Sequence, residues 1–405
     1  YALLRNLRFF DAFFVVFLLL ELHFSFTVIG LVVAYEKALM GLLEIPLAIF
    51  SDRTGRRRAL MFSFSLSAMA FGLFGAAKYG SCPLVTVFIG QTLFALAESL
   101  RTGTHKAMVL EWLAAHNLSH RRVGVLAQMR FFSKCSGGVA ACVAGVLVWQ
   151  FGQISILFWV AMLPSLAVVA LVACYPRVCD GALSSKRQST SEGLSGGLHA
   201  ALTSRQAWVL LLPSILFESQ IKLALPYLQP ALTELSQGFG FPVLGGIGAL
   251  LLGGYLALSG LLAGSAALVS EKFSQWANTM TQALRILHVL AALMMTITCL
   301  GFYIGHPELG LFLMLGLAAV QNMRRPLFVA CIDEAMAHQY RATMLSIESQ
   351  GRSWLFALAS ILVGWVTDHL GLWASFAIMA CILWTALFFT PTGKSRQNAE
   401  TTGCS

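Results

Sequence analysis

Charge is scarce in this sequence. Only 11% of its 405 residues are Asp, Glu, Lys or Arg, where soluble domains carry about a quarter. That shortage excludes an ordinary water-soluble domain, and the abundance of Leu, Phe and Val excludes a solvated disordered chain. The nine cysteines are scattered, with no C-x-x-C pair, and most lie inside apolar runs. They read as small core hydrophobes, not as a metal or redox centre. No G-x-x-x-x-G-K-[ST] loop is present to cradle nucleotide phosphates, which argues against a self-contained ATP-driven pump. No His-Glu-x-x-His helix is present to hold a catalytic metal. The sequence therefore predicts no enzyme, no metal site and no cofactor.

Apolar residues are plentiful: 58% of the chain, or about 235 positions. A helix crossing a ~30 Å hydrocarbon layer at ~1.5 Å per residue needs ~20 mostly apolar residues, so twelve spans would take about 240. Apolar runs between polar breaks give spans near 9–25, 28–50, 59–78, 84–108, 126–149 and 154–175, then near 207–228, 246–269, 284–304, 309–335, 346–367 and 372–390. The Ser- and Gly-rich stretch between the two sets reads as a linker. The expected fold is an all-α polytopic membrane protein with twelve transmembrane helices in two pseudo-symmetric six-helix bundles. Its parts are an N-terminal bundle (1–175), a cytoplasmic linker (176–206), a C-terminal bundle (207–391) and a cytoplasmic tail (392–405). No small-residue cleavage site follows the first apolar stretch, which reads as a retained span and not as a signal peptide.

Lysine and arginine placement tests this count. Sixteen of them (Arg5, Arg8, Arg53, Arg56, Arg57, Arg58, Arg121, Arg122, Arg177, Lys186, Arg187, Arg205, Lys272, Arg341, Lys394 and Arg396) fall on one side, and Lys78 alone on the other. The bias assigns the basic loops and both termini to the cytoplasm, here of a bacterial inner membrane. The net charge of +9 is then a matter of loop placement. With no aromatic-interleaved basic patch, nucleic acid is not an expected partner.

The two halves repeat. At an offset of 219 residues Ser51-Asp52-Arg53 meets Ser270-Glu271-Lys272, Arg122 meets Arg341, Leu126 meets Leu345, and Gly145 and Gly152 meet Gly364 and Gly371. Around the fourth and tenth spans the offset becomes 223, pairing Arg101, Ala107 and Glu111 with Arg324, Ala330 and Glu334. With an even number of spans in each half, both repeats enter the membrane in the same orientation, related about the membrane normal.

The loop after the second span reads Ala48-Ile49-Phe50-Ser51-Asp52-Arg53-Thr54-Gly55-Arg56-Arg57-Arg58. Gly55 permits a tight reversal, and the arginines can hold carboxylates. The loop resembles the signature of the major facilitator superfamily: a Gly, three residues, Asp-Arg, one residue, then Gly-Arg-Arg or Gly-Arg-Lys. Ala48 stands where the leading glycine is usual. The resemblance extends over the chain through the two six-span halves, the central linker and the degenerate second copy at Glu271-Lys272. It implies a secondary transporter alternating between inward and outward openings. It also implies a cytoplasmic gate in which Asp52, Arg53, Gly55, Arg56 and Arg57 face Glu111, with Glu271, Lys272 and Glu334 as the second copy. The fifth span lacks the proline of the antiporter glycine motif, so direction of transport is not specified.

An ionisable side chain near the bilayer centre costs at least ~2.5–3.5 kcal/mol and therefore normally faces a partner or a wet cavity. Candidates for substrate binding or coupling are Glu21, Glu36, Glu98, Arg101, Glu218, Lys222, Gln321, Asn322, Arg324 and Arg325. Glu98 and Arg101 are three apart, Glu218 and Lys222 four apart, and each pair shares a helical face. Arginine stays charged and can hold an anion, whereas a carboxylate can switch between paired and protonated states. Pro326 permits a kink in the tenth span. Glu348 and Arg352, four apart at the start of the eleventh, read as gate or packing residues.

These features predict a proton-coupled transporter of a small organic solute, biased toward anionic or zwitterionic substrates and functional as a monomer. Its expected partners are the solute, protons or another coupling ion, and the lipid bilayer. Two alternatives stand beside it. Efflux of hydrophobic or drug-like compounds would be favoured by arginines buried in ion pairs, and a receptor or assembly factor would bind without moving its ligand.

Overall fold

The computed structural model describes residues 1–102, 104–118, 122–176, 205–277, 279–335 and 341–390. The 176–206 linker beyond residue 176 and the 392–405 tail lie outside them, apart from the first helical residues from 205 on. In chain order the helices are α1 (Ala2–Arg5), α2 (Phe14–Val16), α3 (Phe26–Thr54), α4 (Arg56–Ala77), α5 (Pro83–Arg101), α6 (Thr104–Ala115), α7 (Arg122–Phe151) and α8 (Ile156–Ala173). They continue with α9 (Arg205–Gly238), α10 (Ile247–Trp276), α11 (Met280–Ile304), α12 (Glu308–Met314), α13 (Leu317–Ala335), α14 (Arg341–Leu370) and α15 (Leu372–Phe388). A π-helical turn, Phe17–Glu21, follows α2.

Among the described residues nine helices are long and apolar enough to cross a membrane: α3, α4, α5, α7, α8, α9, α10, α11 and α14. The fold is therefore all-α and polytopic. Three expected spans take other forms. The first is broken into turns, the single turn of α2 and the π turn. The tenth is split between α12 and α13 and carries Arg324 and Arg325. The twelfth, α15, is apolar but only 17 residues long.

Helix ends follow local chemistry. The Ser25 hydroxyl caps α3 by accepting from the Val28 N–H (3.3 Å), and Thr279 caps α11 through Gln282 N–H (3.2 Å). Pro83 opens α5, where its missing N–H is not needed. Gly55, between α3 and α4, has φ +96°, a backbone that a side chain would strain.

The chain gathers into two compact units. The first comprises Tyr1–Arg187, Pro226–Leu261 and Ser360–Asp368; the second comprises Gln188–Leu225, Leu262–Ala359 and His369–Ser405. The C-terminal part of α9, the N-terminal part of α10 and residues 360–368 of α14 thus cluster with the first half of the sequence.

In the first unit Phe10, Phe13, Phe17, Phe71, Phe74 and Phe158 are buried together. Ring centroids lie 4.7 Å apart for Phe10 and Phe71 and 5.1 Å for Phe10 and Phe158. Such pairs contribute about 0.5–1.5 kcal/mol beyond the area they bury. Lipid offers apolar surface as readily as protein does, so close packing must hold helices together.

Two seams in this unit use glycine for that purpose. A Cβ on Gly30 would strike the Ser360 carbonyl, and one on Gly364 the Phe26 carbonyl, so α3 and α14 touch backbone to backbone. Gly145 and Gly253 do the same for α7 and α10: added Cβ atoms would lie 2.7 Å from Ala249 O and 2.5 Å from Ala141 O. The Asp368 carboxylate clasps the start of α3, accepting from Phe26 N–H (2.8 Å), Thr27 N–H (2.7 Å) and Thr27 Oγ1–H (2.5 Å). A carboxylate suits the positive end of a helix. Asp368→Ala is expected to cost about 1–2 kcal/mol, the range for loss of a helix cap. Thermal unfolding in detergent checks this, with Asp368→Asn retaining part of the loss.

Candidate substrate and coupling site

In the first unit the site is built around Glu98, buried on α5. Arg101, one helical turn on, donates to it through Nε (3.1 Å) and Nη2, and Arg8 donates to its Oε1. One carboxylate thus holds two guanidiniums. Arg8 also lies over the Phe94 ring at 5.2 Å from its centroid. Beside them on α3, Glu36 accepts from Lys37 Nζ (2.5 Å). Taking an ion out of water costs several kcal/mol even after relaxation, so such groups persist only in tight sets. Arg8 leaves the loop to which its charge assigns it because the interrupted first span brings it to Glu98.

That interruption has its own partner. The Gln229 side chain, buried on α9, accepts from Val15 N–H (2.9 Å) and donates to the Asp11 carbonyl (2.8 Å). One amide thereby satisfies a donor and an acceptor that a continuous helix would satisfy internally. Glu21 closes the span, accepting from Ile154 N–H and Ser155 N–H (3.3 Å) with Lys78 Nζ 3.7 Å away. This places Glu21 at the start of α8, and it neutralises Lys78.

The second unit holds a longer chain of charge. Glu218 on α9 is 2% exposed; its Oε2 accepts from Gln321 Nε2 (2.8 Å), and its Oε1 lies 3.8 Å from Arg324 Nη1. Arg324, 3% exposed, donates to Ser214 Oγ (3.2 Å) and lies over Phe217 at 4.3 Å. Ser214 in turn donates to Glu348 (3.3 Å). Glu348 is 0% exposed and also takes Arg325 Nη1 (2.9 Å), with Arg352 Nη1 at 3.5 Å. Here too one carboxylate serves two guanidiniums. His288 contacts the Leu383 carbonyl through Nε2 (3.1 Å), and beside it Arg324 lines a cavity of about 20 Å³ with Pro213 and Phe328. That is room for one water. Asn322 bonds back to the Ala318 carbonyl (2.7 Å), and Lys222 is half-buried.

At the loop after α3, Arg56 meets Glu111 of α6 (2.5 Å) and Arg57 donates to the Tyr175 carbonyl (2.9 Å). The Asp52 side chain lies outside the described residues. Arg53, Glu271, Lys272 and Glu334 are exposed.

The family model described as Major Facilitator Superfamily matches residues 5–347. The chain belongs to the Major Facilitator Superfamily. As a superfamily member it is a membrane transport protein and not an enzyme. Comparison with curated protein sequences finds no match. Among solved structures it is similar to the nucleoside transporter NupG, with 15% identity, a TM-score of 0.78 and 96% of this chain and 97% of that one covered. The xylose transporter XylE from E. coli in an inward-open conformation aligns at 14% identity and TM-score 0.68 over 99% and 98% of the two chains. A POT family transporter in complex with a thioalcohol-conjugated peptide aligns at 14% identity and TM-score 0.68 over 95% and 94%.

Within the superfamily fold, Arg8, Ser214, Gln229 and Asp368 join the polar framework without having been singled out by sequence. Arg8 reads as a loop cation, Ser214 and Gln229 as single polar residues in apolar runs, and Asp368 as a span end. A polar residue inside a span was the available signal for Ser214 and Gln229.

Proposed function

We propose that this superfamily member moves a small organic solute by alternating access, coupled to protons and with a preference for anionic or zwitterionic substrates. Its frame would be twelve spans in two six-helix bundles in a bacterial cytoplasmic membrane, acting as a monomer with both termini on the cytoplasmic side. The observation that carries the substrate preference is the ratio of guanidinium to carboxylate. Arg8 and Arg101 share Glu98, and Arg325 and Arg352 share Glu348. Each set keeps a positive surplus that a carboxylate or phosphate on the solute would balance. Similarity to a D-xylose-proton symporter, at a TM-score of 0.72 and 15% identity, supports the proton coupling.

Glu36, Lys222, Gln321, Asn322 and Arg324 complete the proposed polar lining, and Arg56 with Glu111 forms the proposed cytoplasmic gate. Efflux of hydrophobic compounds is the second reading. It is favoured by the ion pairing of Arg101, Arg324 and Arg325, each of which lies against a carboxylate.

A solute screen in liposomes under an imposed pH gradient decides between them. Arg101→Ala is expected to reduce uptake of an anionic solute at least tenfold with the fold intact. Uptake of uncharged lipophilic compounds, unaffected by Arg101→Ala, would favour efflux. Binding without flux at any gradient would favour a receptor.

A further inference from the structure

The second unit gathers more cations than its buried carboxylates can balance. Around Glu218 and Glu348 stand Arg324, Arg325 and Arg352, three guanidiniums to two carboxylates. The other charged groups nearby widen the gap: Lys222 lies one turn from Glu218 on α9 and Arg285 lies on α11 between Thr281 and His288, whereas Asp333 and Glu334 are exposed at the end of α13. Arg324 is the least well served. It is 3% exposed, yet among the described residues its only hydrogen bond is the one from Nη1 to Ser214 Oγ, and its Nε is buried with no partner. A guanidinium has five N–H donors to satisfy. The rings of Phe217 and Phe328, with centroids 4.3 Å and 5.5 Å from the guanidinium carbon, hold it in place without accepting a conventional hydrogen bond.

Arg324 also lines the cavity of about 20 Å³, whose other walls include Leu210 and Pro213 of α9, Thr281 and Leu284 of α11 and Phe328 of α13. All of these residues belong to the second unit, so the cavity lies within that unit. It admits one particle of the size of a water molecule and excludes an organic solute of several heavy atoms. We infer that this cavity is a halide site, in which Arg324 pairs with a single chloride or bromide ion. The inference goes beyond the transport reading and does not depend on it. A water molecule could accept one N–H but would leave the surplus charge unbalanced, whereas a halide does both. Oxyanions such as phosphate and sulfate are too large. Because the walls are mostly apolar, the ion must shed its water to enter, and the more weakly hydrated ion loses least. Bromide should therefore bind more tightly than chloride, and fluoride should not bind. A halide bound here would join α9, α11 and α13 and so stabilise the folded chain.

The test uses the full-length chain in detergent at fixed pH and ionic strength, with sodium bromide, chloride or fluoride as the probe. Saturating bromide should raise the midpoint of thermal unfolding by about 2–4 °C over fluoride, with chloride following at higher concentration. Arg324→Gln should lose the rise. Since that variant strands Glu218 and can fail to fold, Leu210→Phe supplies the second arm: it adds ring atoms to the cavity wall and leaves every charge in place, so it should unfold cooperatively in fluoride and show no bromide-dependent rise. Equal midpoints in the three halides would show that the cavity holds water at most, and an undiminished rise in Leu210→Phe would place the halide elsewhere; either result overturns the assignment. Failure of every solute in the liposome screen would sink the transport reading and leave the halide dependence standing.

Discussion

Gly364→Val is expected to abolish solute flux in liposomes while the protein still folds into the membrane. The reason lies in the α3–α14 seam, where a Cβ at residue 364 would collide with the carbonyl of Phe26. The obstacle is main chain, which cannot rotate aside as a side chain could, so the two helices must part. Overpacking of this kind costs about 1–3 kcal/mol. Because 1.4 kcal/mol is about tenfold in an equilibrium, occupancy of the closed seam falls roughly 5- to 150-fold. The Asp368 clasp at the end of the same seam would open with it. Thiol labelling of a cysteine placed at Ser360, in a background freed of native cysteines, should rise in parallel with the loss of flux. Gly254→Val is the control: Gly254 is exposed on α10 and a Cβ there meets nothing within 4 Å. Equal flux in Gly364→Val and wild type would show that the seam is not a moving part.

Glu348→Leu is expected to produce the largest loss of stability. Glu348 is completely buried and takes Ser214, Arg325 and Arg352. Removing one partner of a buried pair costs about 3–5 kcal/mol because the other charge is stranded. The cost should fall mainly on Arg352, since the Arg325 side chain is 36% exposed and can turn to solvent. Thermal unfolding in detergent should show the drop, with Glu348→Gln intermediate. Adding Arg352→Leu to Glu348→Leu should recover much of the loss, a coupling that a double-mutant cycle measures directly. No recovery would mean that Glu348 is held by packing and not by charge.

How much of this could be read from sequence depended on how local the interaction is. Glu98 and Arg101 are one turn apart on a single helix, so their spacing already places them together. Gly55 is legible for the same reason, because a charged loop between two apolar runs must reverse within a few residues. Arg56 with Glu111 required the superfamily resemblance, since 55 residues separate them. Long-range partners were out of reach. Nothing in the first apolar run announces that it gives up helical hydrogen bonds, because the compensating amide, Gln229, lies on another helix. Charge counting places Arg8 in a basic loop with the others, and only the broken span carries it inward. Glu348 looked like half of an i,i+4 pair, whereas its surroundings include Arg325 and Ser214 from two further helices.

The glycine seams bear on how the protein responds to temperature. Their closest contacts are peptide groups and Cα atoms of facing helices. Parting such surfaces exposes little hydrocarbon, and the heat capacity of the transition should therefore be small. In the proposed alternating access, the balance between parted and joined helices would then drift only slightly on warming or cooling, unlike unfolding of the same chain.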